Sequence, residues 1–215
     1  MGTITELQTD IRNEMFGGQT VNDDLILGAI GEAIDGIQYA VGADAKPILW
    51  DFLKTQWAVS MVSGTGTFVL SGVAPSIRDI DYISVIDNAG ESTPIKYMEY
   101  QGFLETYRNA INNLPETWSL SYPQGATATI HWGPAPNQAY TATIDYYQRH
   151  ATTGSTTILV PNLELVKRGA KMRIALDQDN ADVAKMNLEI YDRLFANLMA
   201  RQQRFEIPRY TVPVY

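Results

Sequence analysis

The C-terminal part of the chain constrains the fold most, because its last predicted helix carries apolar residues on more than one side. This helix runs from about Asn180 or Asp182 to Gln203. One apolar stripe comprises Val183, Met186, Ile190, Leu194 and Leu198, and an adjacent one comprises Leu188, Tyr191, Phe195 and Met199. Together they cover more than half of the circumference, whereas a helix that packs only within its own domain needs a stripe a little over about 100° wide. The pattern predicts either a helix buried centrally in its own domain or one that also packs against another subunit.

The preceding segment has the same two-sided pattern. It predicts a helix from Asn162 to Gln178, with Asn162 after Pro161 as a suitable N-cap. Its apolar residues are Leu163, Val166, Ala170 and Ile174 on one side, and Leu165, Met172 and Leu176 nearly opposite. If the surplus apolar surface packs between subunits, the last predicted helix, which ends at Gln203, supplies the interface. That predicted subunit interface comprises Leu188, Ile190, Tyr191, Leu194, Phe195 and Leu198.

The chain then ends in an apolar segment, residues 204–215. Its bulky residues are Phe205, Ile207, Tyr210, Val212, Val214 and Tyr215. Pro208 and Pro213 exclude a central strand position, and Arg204 and Arg209 keep the segment soluble. A frayed terminus is one interpretation. The aromatic content instead favours a docking arm that adds to a sheet edge or fills a groove of another chain.

Composition and charge narrow the function classes. The 215 residues correspond to one domain or one and a half, with 45% hydrophobic residues and no cysteine. Disulfides, thiol chemistry and Cys-ligated zinc are therefore excluded. The net charge is −8, and the acidic excess lies before residue 162, because the part that follows holds nine Lys or Arg against seven Asp or Glu. Such an acidic body argues against binding nucleic acid through its phosphates. With no secretory signal and no apolar run of about 18 residues, we expect no membrane partner.

The order of predicted elements favours an α+β fold, in which a helical bundle contains an inserted antiparallel β-sheet of about six strands. Residues 1–56 supply three N-terminal helices, the first with a Thr3/Glu6 capping box and the third opening at Pro47. Residues 57–157 supply the sheet, with a first hairpin across the Gly-rich turn near residue 64 and a small helix inserted at 99–112. Residues 158–203 supply the C-terminal helices, and 204–215 form the tail.

No residue pattern requires catalysis, a cofactor or a metal ion. The two histidines, His131 and His150, lack metal-ligand spacing, and a hydrolase triad built from them with Asp145 and a serine has little support. Asp79 and Asp81 share a strand face, which is more typical of a solvated edge than of a catalytic pair. A sugar-binding face is an alternative, and its candidate aromatic residues are Trp118, Tyr122, Trp132, Tyr140 and Tyr146. We therefore expect no catalytic, cofactor-binding or metal site.

Over most of its length the chain resembles the head-to-tail adaptors of tailed bacteriophages, also called head-completion or tail-tubular-A-like connectors. The resemblance rests on TVNDDLILGAIGEAIDGI, WDFLKTQWAVSMV, RDIDYISVIDNAGESTPIKYMEYQGF, WGPAPNQAYTATIDYYQRH and MNLEIYDRLFANLMARQQR. The most specific piece is the Pro-Ala-Pro turn followed by an alternating strand that ends in Tyr-Tyr-x-Arg. The tail is shorter than the resemblance implies.

The resemblance implies a non-enzymatic structural subunit in the neck of a virion, assembled in the host cytoplasm. It implies a helical bundle with a β insertion and a homo-oligomeric ring of twelve copies beneath the portal. The C-terminal segments would dock onto the portal protein, through Arg204, Phe205, Ile207, Arg209, Tyr210, Val212 and Tyr215. The ring would extend the DNA channel to a tail or nozzle protein, and genomic DNA would pass through without specific binding. The alternatives are a tail-completion or stopper subunit, or a receptor- or sugar-binding β module.

Overall fold

The structure is a computed structural model, and it describes residues 2–42, 45–70, 77–121, 128–150 and 157–205. The chain forms two compact units: residues 1–53 together with 150–215, and residues 54–149. The helices are α1 (Ile4–Phe16), α2 (Asp23–Gln38), α3 (Tyr100–Tyr107), α4 (Leu163–Asp177) and α5 (Ala181–Phe205). The strands are β1 (Lys54–Met61), β2 (Thr67–Val69), β3 (Ile77–Ile86), β4 (Ser92–Tyr97), β5 (Thr117–Ser121), β6 (Thr129–Gly133) and β7 (Tyr140–Gln148). The fold class is therefore α+β.

Local sequence signals explain the helix ends of the first unit. Thr3 caps α1 through the backbone N–H of Glu6, and the Glu6 carboxylate accepts from the Thr3 backbone N–H, which completes the predicted capping box. Gly17 ends α1 in a left-handed conformation with φ 58°. Asn162 caps α4 by accepting from the backbone N–H groups of Glu164 and Leu165. The capping box and the Asn162 N-cap were both predicted from the sequence.

The predicted third helix at residues 47–56 is wrong. In its place the chain makes a short 3-10 turn, Asp51–Leu53, and then enters β1 at Lys54. Trp50 explains the difference, because its fully buried indole Nε1 donates to the Ile37 carbonyl at 2.7 Å and fixes the chain against the end of α2. Residues 54–61 then form β1, which pairs with residues 140–147 of β7. Tertiary hydrogen bonds therefore override the local helical pattern.

The second unit is one seven-stranded sheet in the order β1-β7-β3-β4-β5-β6-β2. It has one strand more than predicted, and it is mixed rather than antiparallel, because β4 and β5 pair in parallel. The predicted hairpin between β1 and β2 is also wrong, since β1 pairs with β7 and β2 with β6 at opposite edges of the sheet. The rings of Trp57 and Phe68 nevertheless meet at 5.4 Å, so the sheet curls until side chains of its two edge strands touch.

One face of this curled sheet forms the core of the second unit. Its buried members are Val59, Met61, Ile83, Val85, Ile95, Trp118, Ile130, Trp132, Tyr140, Ala142, Ile144 and Tyr146. Helix α3 packs close to the end of β6, where a Cβ added at Gly133 would lie 2.6 Å from the rings of Phe103 and Tyr107. Glycine at this position therefore allows α3 to approach the strand.

Candidate subunit and partner interface

Helix α5 contacts its own unit along a narrow seam. The seam residues that are buried are Ala184, Asn187, Leu198 and Gln202. Between them, the ring of Tyr191 covers α4 at Gly169, where an added Cβ would lie 3.1 Å from the Tyr191 ring and 3.0 Å from Ala33 of α2. Burial raises the pKa of the Tyr191 hydroxyl. The absence of a side chain at Gly169 is thus what lets α2, α4 and α5 pack closely.

An aromatic cluster continues the seam toward the end of α5. Tyr191 stacks on Phe195 with ring centroids 5.9 Å apart, and Phe195 meets the edge of Trp50 at 6.0 Å. Trp50 in turn stacks on Phe52 at 5.5 Å. Tyr191 and Phe195 therefore make extensive contacts within their own chain. In this structure they support the helical unit, whatever further contacts they make in an assembly.

The structure separates the six predicted interface residues into four groups. Leu198 is buried at 7% exposure, whereas Leu188 is 41% exposed. Tyr191 and Phe195 belong to the internal cluster, and Ile190 and Leu194 are half-buried on one flank of the seam. Leu188 lies on the opposite flank, because it is two residues from Ile190 and successive helical residues are rotated by roughly 100°. The two predicted stripes thus lie on either side of a seam that contains parts of both.

On α4 and on the described side chains of α5, two exposed large apolar residues were not among the predicted interface residues. Met186 on α5 is 52% exposed, and Leu176 at the end of α4 is 57% exposed. Met186 belongs to the same stripe as Ile190 and Leu194, so the sequence pattern contained the signal for it. We call Val183, Met186, Ile190 and Leu194 the open flank of α5.

The open flank continues into a cavity of about 490 Å³ beside the last turns of α5, here called the C-terminal groove. Its lining residues are Pro161, Asn162, Leu194, Asn197, Leu198, Ala200 and Arg201. A smaller cavity of about 180 Å³ adjoins it, shares Pro161, Leu198 and Arg201, and adds Asp51, Phe52 and Gln202. No sequence pattern indicated the two cavities, because together their walls come from three separate segments of the chain.

Gln202 fixes the wall of the groove at the end of α5. Its side-chain Nε2 donates to the Leu49 carbonyl at 2.9 Å, and its Oε1 accepts from the Asp51 backbone N–H at 3.2 Å. Both partners lie in the connection between α2 and β1, so the last turns of α5 are held against that connection. This turn of α5 is therefore fixed in position by the rest of its unit.

The basic residues of α4 are neutralised within the chain. Lys167 and Lys171 both donate to the Glu14 carboxylate of α1, Arg168 pairs with Glu164 at 2.6 Å and Arg173 with Glu32 at 2.7 Å. The hydrogen bonds from the two lysines lower the pKa of Glu14 to about 2. The excess of basic residues in the C-terminal part of the sequence thus does not produce an unpaired basic surface on α4.

The predicted portal-binding residues are only partly described. Helix α5 includes the backbone of Arg204 and Phe205. Ile207, Arg209, Tyr210, Val212 and Tyr215 lie outside the described residues. Their role as a docking arm stays a prediction.

The histidines have local partners in separate units. His150 is 2% exposed, its backbone N–H donates to Gln38 Oε1, and its ring Nε2 accepts from the Leu159 N–H at 2.8 Å. His131 Nε2 is hydrogen-bonded to Ser121 Oγ at 2.8 Å, a pair that the sequence reasoning missed. Such a pair could suggest a nucleophile and its base.

Two features disfavour that interpretation of the Ser121 and His131 pair. The His131 ring packs against Tyr100 and Phe103 of α3, with centroids 4.8 and 6.0 Å apart, so aromatic rings occupy the space beside it. Asp145, the carboxylate considered in the sequence, accepts instead from the Gln56 side chain at 2.9 Å. In the part of the chain that the structure describes, no carboxylate orients His131.

The aromatic residues proposed as a sugar-binding face are core residues. Trp118, Trp132, Tyr140 and Tyr146 are all buried within the curled sheet, and Tyr122 lies outside the described residues. A buried ring cannot stack on a saccharide, so the alternative based on these aromatics loses its support. Over the described ranges, no group of three or more His, Asp or Glu residues could hold a metal ion, and no helix is long and apolar enough to cross a membrane.

No protein-family model and no curated protein matches this chain. Among solved structures, it is similar to a chain from the neck of an empty GTA particle computed with C6 symmetry. The similarity covers 77% of this chain and 74% of that chain, with 15% sequence identity and a TM-score of 0.29. A TM-score this low does not establish a shared fold, so the functional proposal rests on the residues of this chain.

Proposed function

We propose that this protein is a head-to-tail adaptor subunit of a tailed-phage particle, a non-enzymatic subunit that forms a ring, binds the portal and extends the DNA channel toward the tail. One observation carries the proposal: α5 exposes large apolar residues on both sides of the seam that holds it to its own unit. The sequence also resembles the adaptor family, and this resemblance supports the neck of a phage particle as the assembly in which such a surface would be buried.

The exposed surface of α5 is larger than a monomer needs. Met186 and Leu188 are 52% and 41% exposed, and the open flank leads into the C-terminal groove. Isolated exposed apolar residues are normal, but a continuous apolar surface marks an interaction site. Because the two flanks of α5 differ, one copy can present one flank to the other flank of the next copy. Such a head-to-tail contact closes into a ring when the rotation between copies is suitable.

The charge distribution suits a wall past which DNA moves without binding. The net charge is −8, and the four basic residues of α4 are paired with carboxylates of the same chain. Phosphate contacts supply most nonspecific affinity for DNA, so paired basic residues contribute little of it. We expect the purified protein to show no DNA binding in a salt titration.

The ring is tested by changing both flanks of α5. The double substitution Met186→Glu with Leu188→Glu should convert the oligomer into a monomer in native mass spectrometry, because two charges would have to be buried at the contact. Both side chains are already exposed, so the fold of the subunit should survive. Leu104→Glu is the matched control, since Leu104 is 48% exposed and lies on α3 in the other unit.

The mass of the unmodified oligomer counts the copies and tests the expected twelve. An unmodified chain that stays a monomer, even with portal present, would contradict the ring. If the double variant Met186→Glu with Leu188→Glu forms the same oligomer as the Leu104→Glu control, the contact between copies lies elsewhere. Phe195→Asp is a poorer test, because Phe195 packs against Trp50 and its loss would damage the subunit itself.

The portal contact is tested by removing residues 204–215. The truncated protein should keep its thermal stability and lose co-sedimentation with the portal protein of the same particle. Burying each large apolar side chain of the tail contributes about 1.5–3 kcal/mol, which offsets only part of the ordering of roughly a dozen residues. Firm attachment therefore requires many tails to bind together from one ring. Portal binding by the truncated protein at unchanged affinity would contradict the assignment of the tail and place the docking surface on the helices instead.

A further inference from the structure

The C-terminal groove combines an apolar wall with a cationic side chain. Pro161 and Leu194 supply apolar surface, and the exposed Arg201 lies on the last turns of α5. Among the residues that the structure describes, Arg201 forms no ion pair, and Asp51 lines the adjoining cavity without pairing with it. An occupant that matches this surface therefore brings an apolar side chain and a carboxylate together.

The chain carries this combination at the other end of α5. We call residues 176–182, at the junction of α4 and α5, the α4–α5 corner. Leu176 is 57% exposed, and the neighbouring Asp177 and Asp179 are exposed as well. Over the described ranges, neither carboxylate has a hydrogen-bond or ion-pair partner, and the corner contains no Lys or Arg. The surface of the corner is thus the chemical complement of the groove.

Backbone hydrogen bonds hold the corner in one shape. The Asp179 N–H donates to the Leu176 carbonyl at 3.1 Å, and the Asn180 N–H donates to the Ala175 carbonyl at 2.8 Å, which together end α4. The Asn180 side-chain Oδ1 accepts from the Val183 N–H at 3.3 Å and caps α5. A docking surface that is already ordered loses little conformational freedom when it binds.

The corner and the groove of one chain lie far apart on the same helix. Asp182 in the corner and Leu198 in the groove are sixteen residues apart along α5, which corresponds to about 24 Å. The groove can therefore receive a corner only from another copy. Since the contact would join two different surfaces, each added copy still presents one corner and one groove. Contacts of this kind continue from copy to copy until a ring closes.

We propose that the α4–α5 corner of one copy occupies the C-terminal groove of the next copy. Leu176 packs against Pro161 and Leu194 of the neighbour, and the carboxylates of Asp177 and Asp179 face the neighbour's Arg201. The opposite charges set the orientation of the contact, because two grooves or two corners placed together would repel each other. The inference rests on the ring of the proposed function and names the two surfaces that join its copies.

The proposed contact also accounts for the exposed flanks of α5. Met186 and Leu188 lie four and six residues after Asp182, so they are within about 9 Å of the corner along the helix axis. When the corner enters the groove, this end of α5 comes beside the last turns of the neighbour's α5. The two exposed side chains and the corner then belong to one interface.

Charge reversal with rescue tests the pairing of corner and groove. Arg201→Glu alone, or Asp177→Lys with Asp179→Lys, should raise the dissociation constant between copies by about tenfold or more, because like charges then face each other. All three substitutions in one chain restore opposite charges and should restore the oligomer. Arg108→Glu is the matched control, since Arg108 is also exposed but lies in the other unit. Native mass spectrometry gives the mass, and sedimentation over a concentration series gives the dissociation constant.

The variants separate loss of contact from loss of fold. The altered side chains are exposed, and a lysine at position 177 places a cation at the C-terminal end of α4, where the helix dipole favours it. The melting temperature of each variant, measured under conditions where it is monomeric, should therefore stay close to that of the unmodified chain. Recovery of the oligomer in the triple variant shows independently that the single reversals did not damage the subunit.

The other outcomes overturn the proposal in distinguishable ways. An oligomer that neither reversal weakens, or that the triple variant does not restore, would leave the ring in place and refute this contact. An oligomer that resists Arg201→Glu but is lost when residues 206–215 are removed would assign the contact to that segment. If Arg201→Glu abolished only co-sedimentation with portal, the groove would be a portal site instead. A monomeric unmodified chain would contradict the ring of the proposed function itself.

Discussion

Replacing Gly133 with alanine should destabilise the second unit, whereas the same replacement at Gly102 should stabilise it. A Cβ at Gly133 would lie 2.6 Å from Phe103 Cε2 and equally close to the Tyr107 ring. Carbon atoms in contact prefer about 3.5–4.0 Å, so α3 must move away by roughly 1 Å. Phe103 is buried, and a shift of this size in a packed region costs about 1–3 kcal/mol.

Gly102 is a matched control on the same helix. A Cβ added there meets nothing within 4 Å, so alanine brings no clash. Alanine in a helix is about 0.5–1 kcal/mol more favourable than glycine, because the unfolded chain loses less conformational freedom on folding. Glycine-to-alanine substitution should therefore lower the free energy of unfolding at Gly133 on β6 and raise it at Gly102 on α3, although the two elements pack against each other.

Urea unfolding followed by near-UV circular dichroism measures both effects. With a slope of about 2–3 kcal/mol per molar urea, the Gly133→Ala midpoint should fall by roughly 0.5–1 M. His131 reports the movement independently, because its ring lies 4.8 Å from Tyr100 and 6.0 Å from Phe103, and its ring-proton chemical shifts should change. An unchanged midpoint together with unchanged His131 shifts would refute the argument that α3 depends on a glycine in β6.

Acid should weaken the contact between α1 and α4. The Glu14 pKa is about 2 in the folded chain, below its ordinary 4.5, so its contribution is complete above pH 4.5 and disappears as the pH falls toward 2. Because Glu14 is half exposed, we expect only about 1 kcal/mol, measured as a stability difference from Glu14→Gln that vanishes over this range. His131→Ala should leave assembly intact in electron micrographs of particles. His150→Ala should lower the melting temperature, because the part-buried Leu159 N–H loses its acceptor, at a cost of about 0.5–1.5 kcal/mol.

The sequence predicted most reliably where a few neighbouring residues decide the structure. The capping box at Thr3 and the N-cap at Asn162 each depend on hydrogen bonds between residues at most three apart. The α+β class followed from the grouping of the strands. The predicted helix at 47–56 failed because its outcome depends on the Trp50 bond to Ile37 and on pairing with β7, far away in sequence.

The pairing of strands was beyond local reasoning for the same reason. The Gly-rich turn near residue 64 is typical of a hairpin, and Gly64 does adopt φ 75°. Even so, β2 pairs with β6, where Phe68 lies opposite Ile130, and β1 lies along β7. Both arrangements satisfy the alternation of each strand, so only the complete core decides between them.

The same limit applied to the candidate interface. The sequence indicated that α5 is apolar on two sides, but it did not show where the seam would fall between the stripes. Asn187 and Gln202, two polar residues outside both stripes, are buried in that seam because each has hydrogen-bond partners there. A polar side chain can be buried when its hydrogen bonds are made within the protein. A search for periodic apolar residues does not detect such a position.

This placement of polar and apolar residues on α5 is itself an argument for assembly. A helix selected only for the stability of its own unit would place its largest aliphatic residues in the seam, where burial contributes most. Here Asn187 is buried at 1% exposure while Met186 and Leu188, on either side of it, are exposed. The hydrogen bond that Arg168 of α4 donates to Asn187 Oδ1 at 3.1 Å fixes how α5 lies on α4, and the aliphatic surface is left for contacts outside the unit. The polar seam thus sets the orientation of the helix, and the exposed flanks supply the apolar surface that a neighbouring copy can bury.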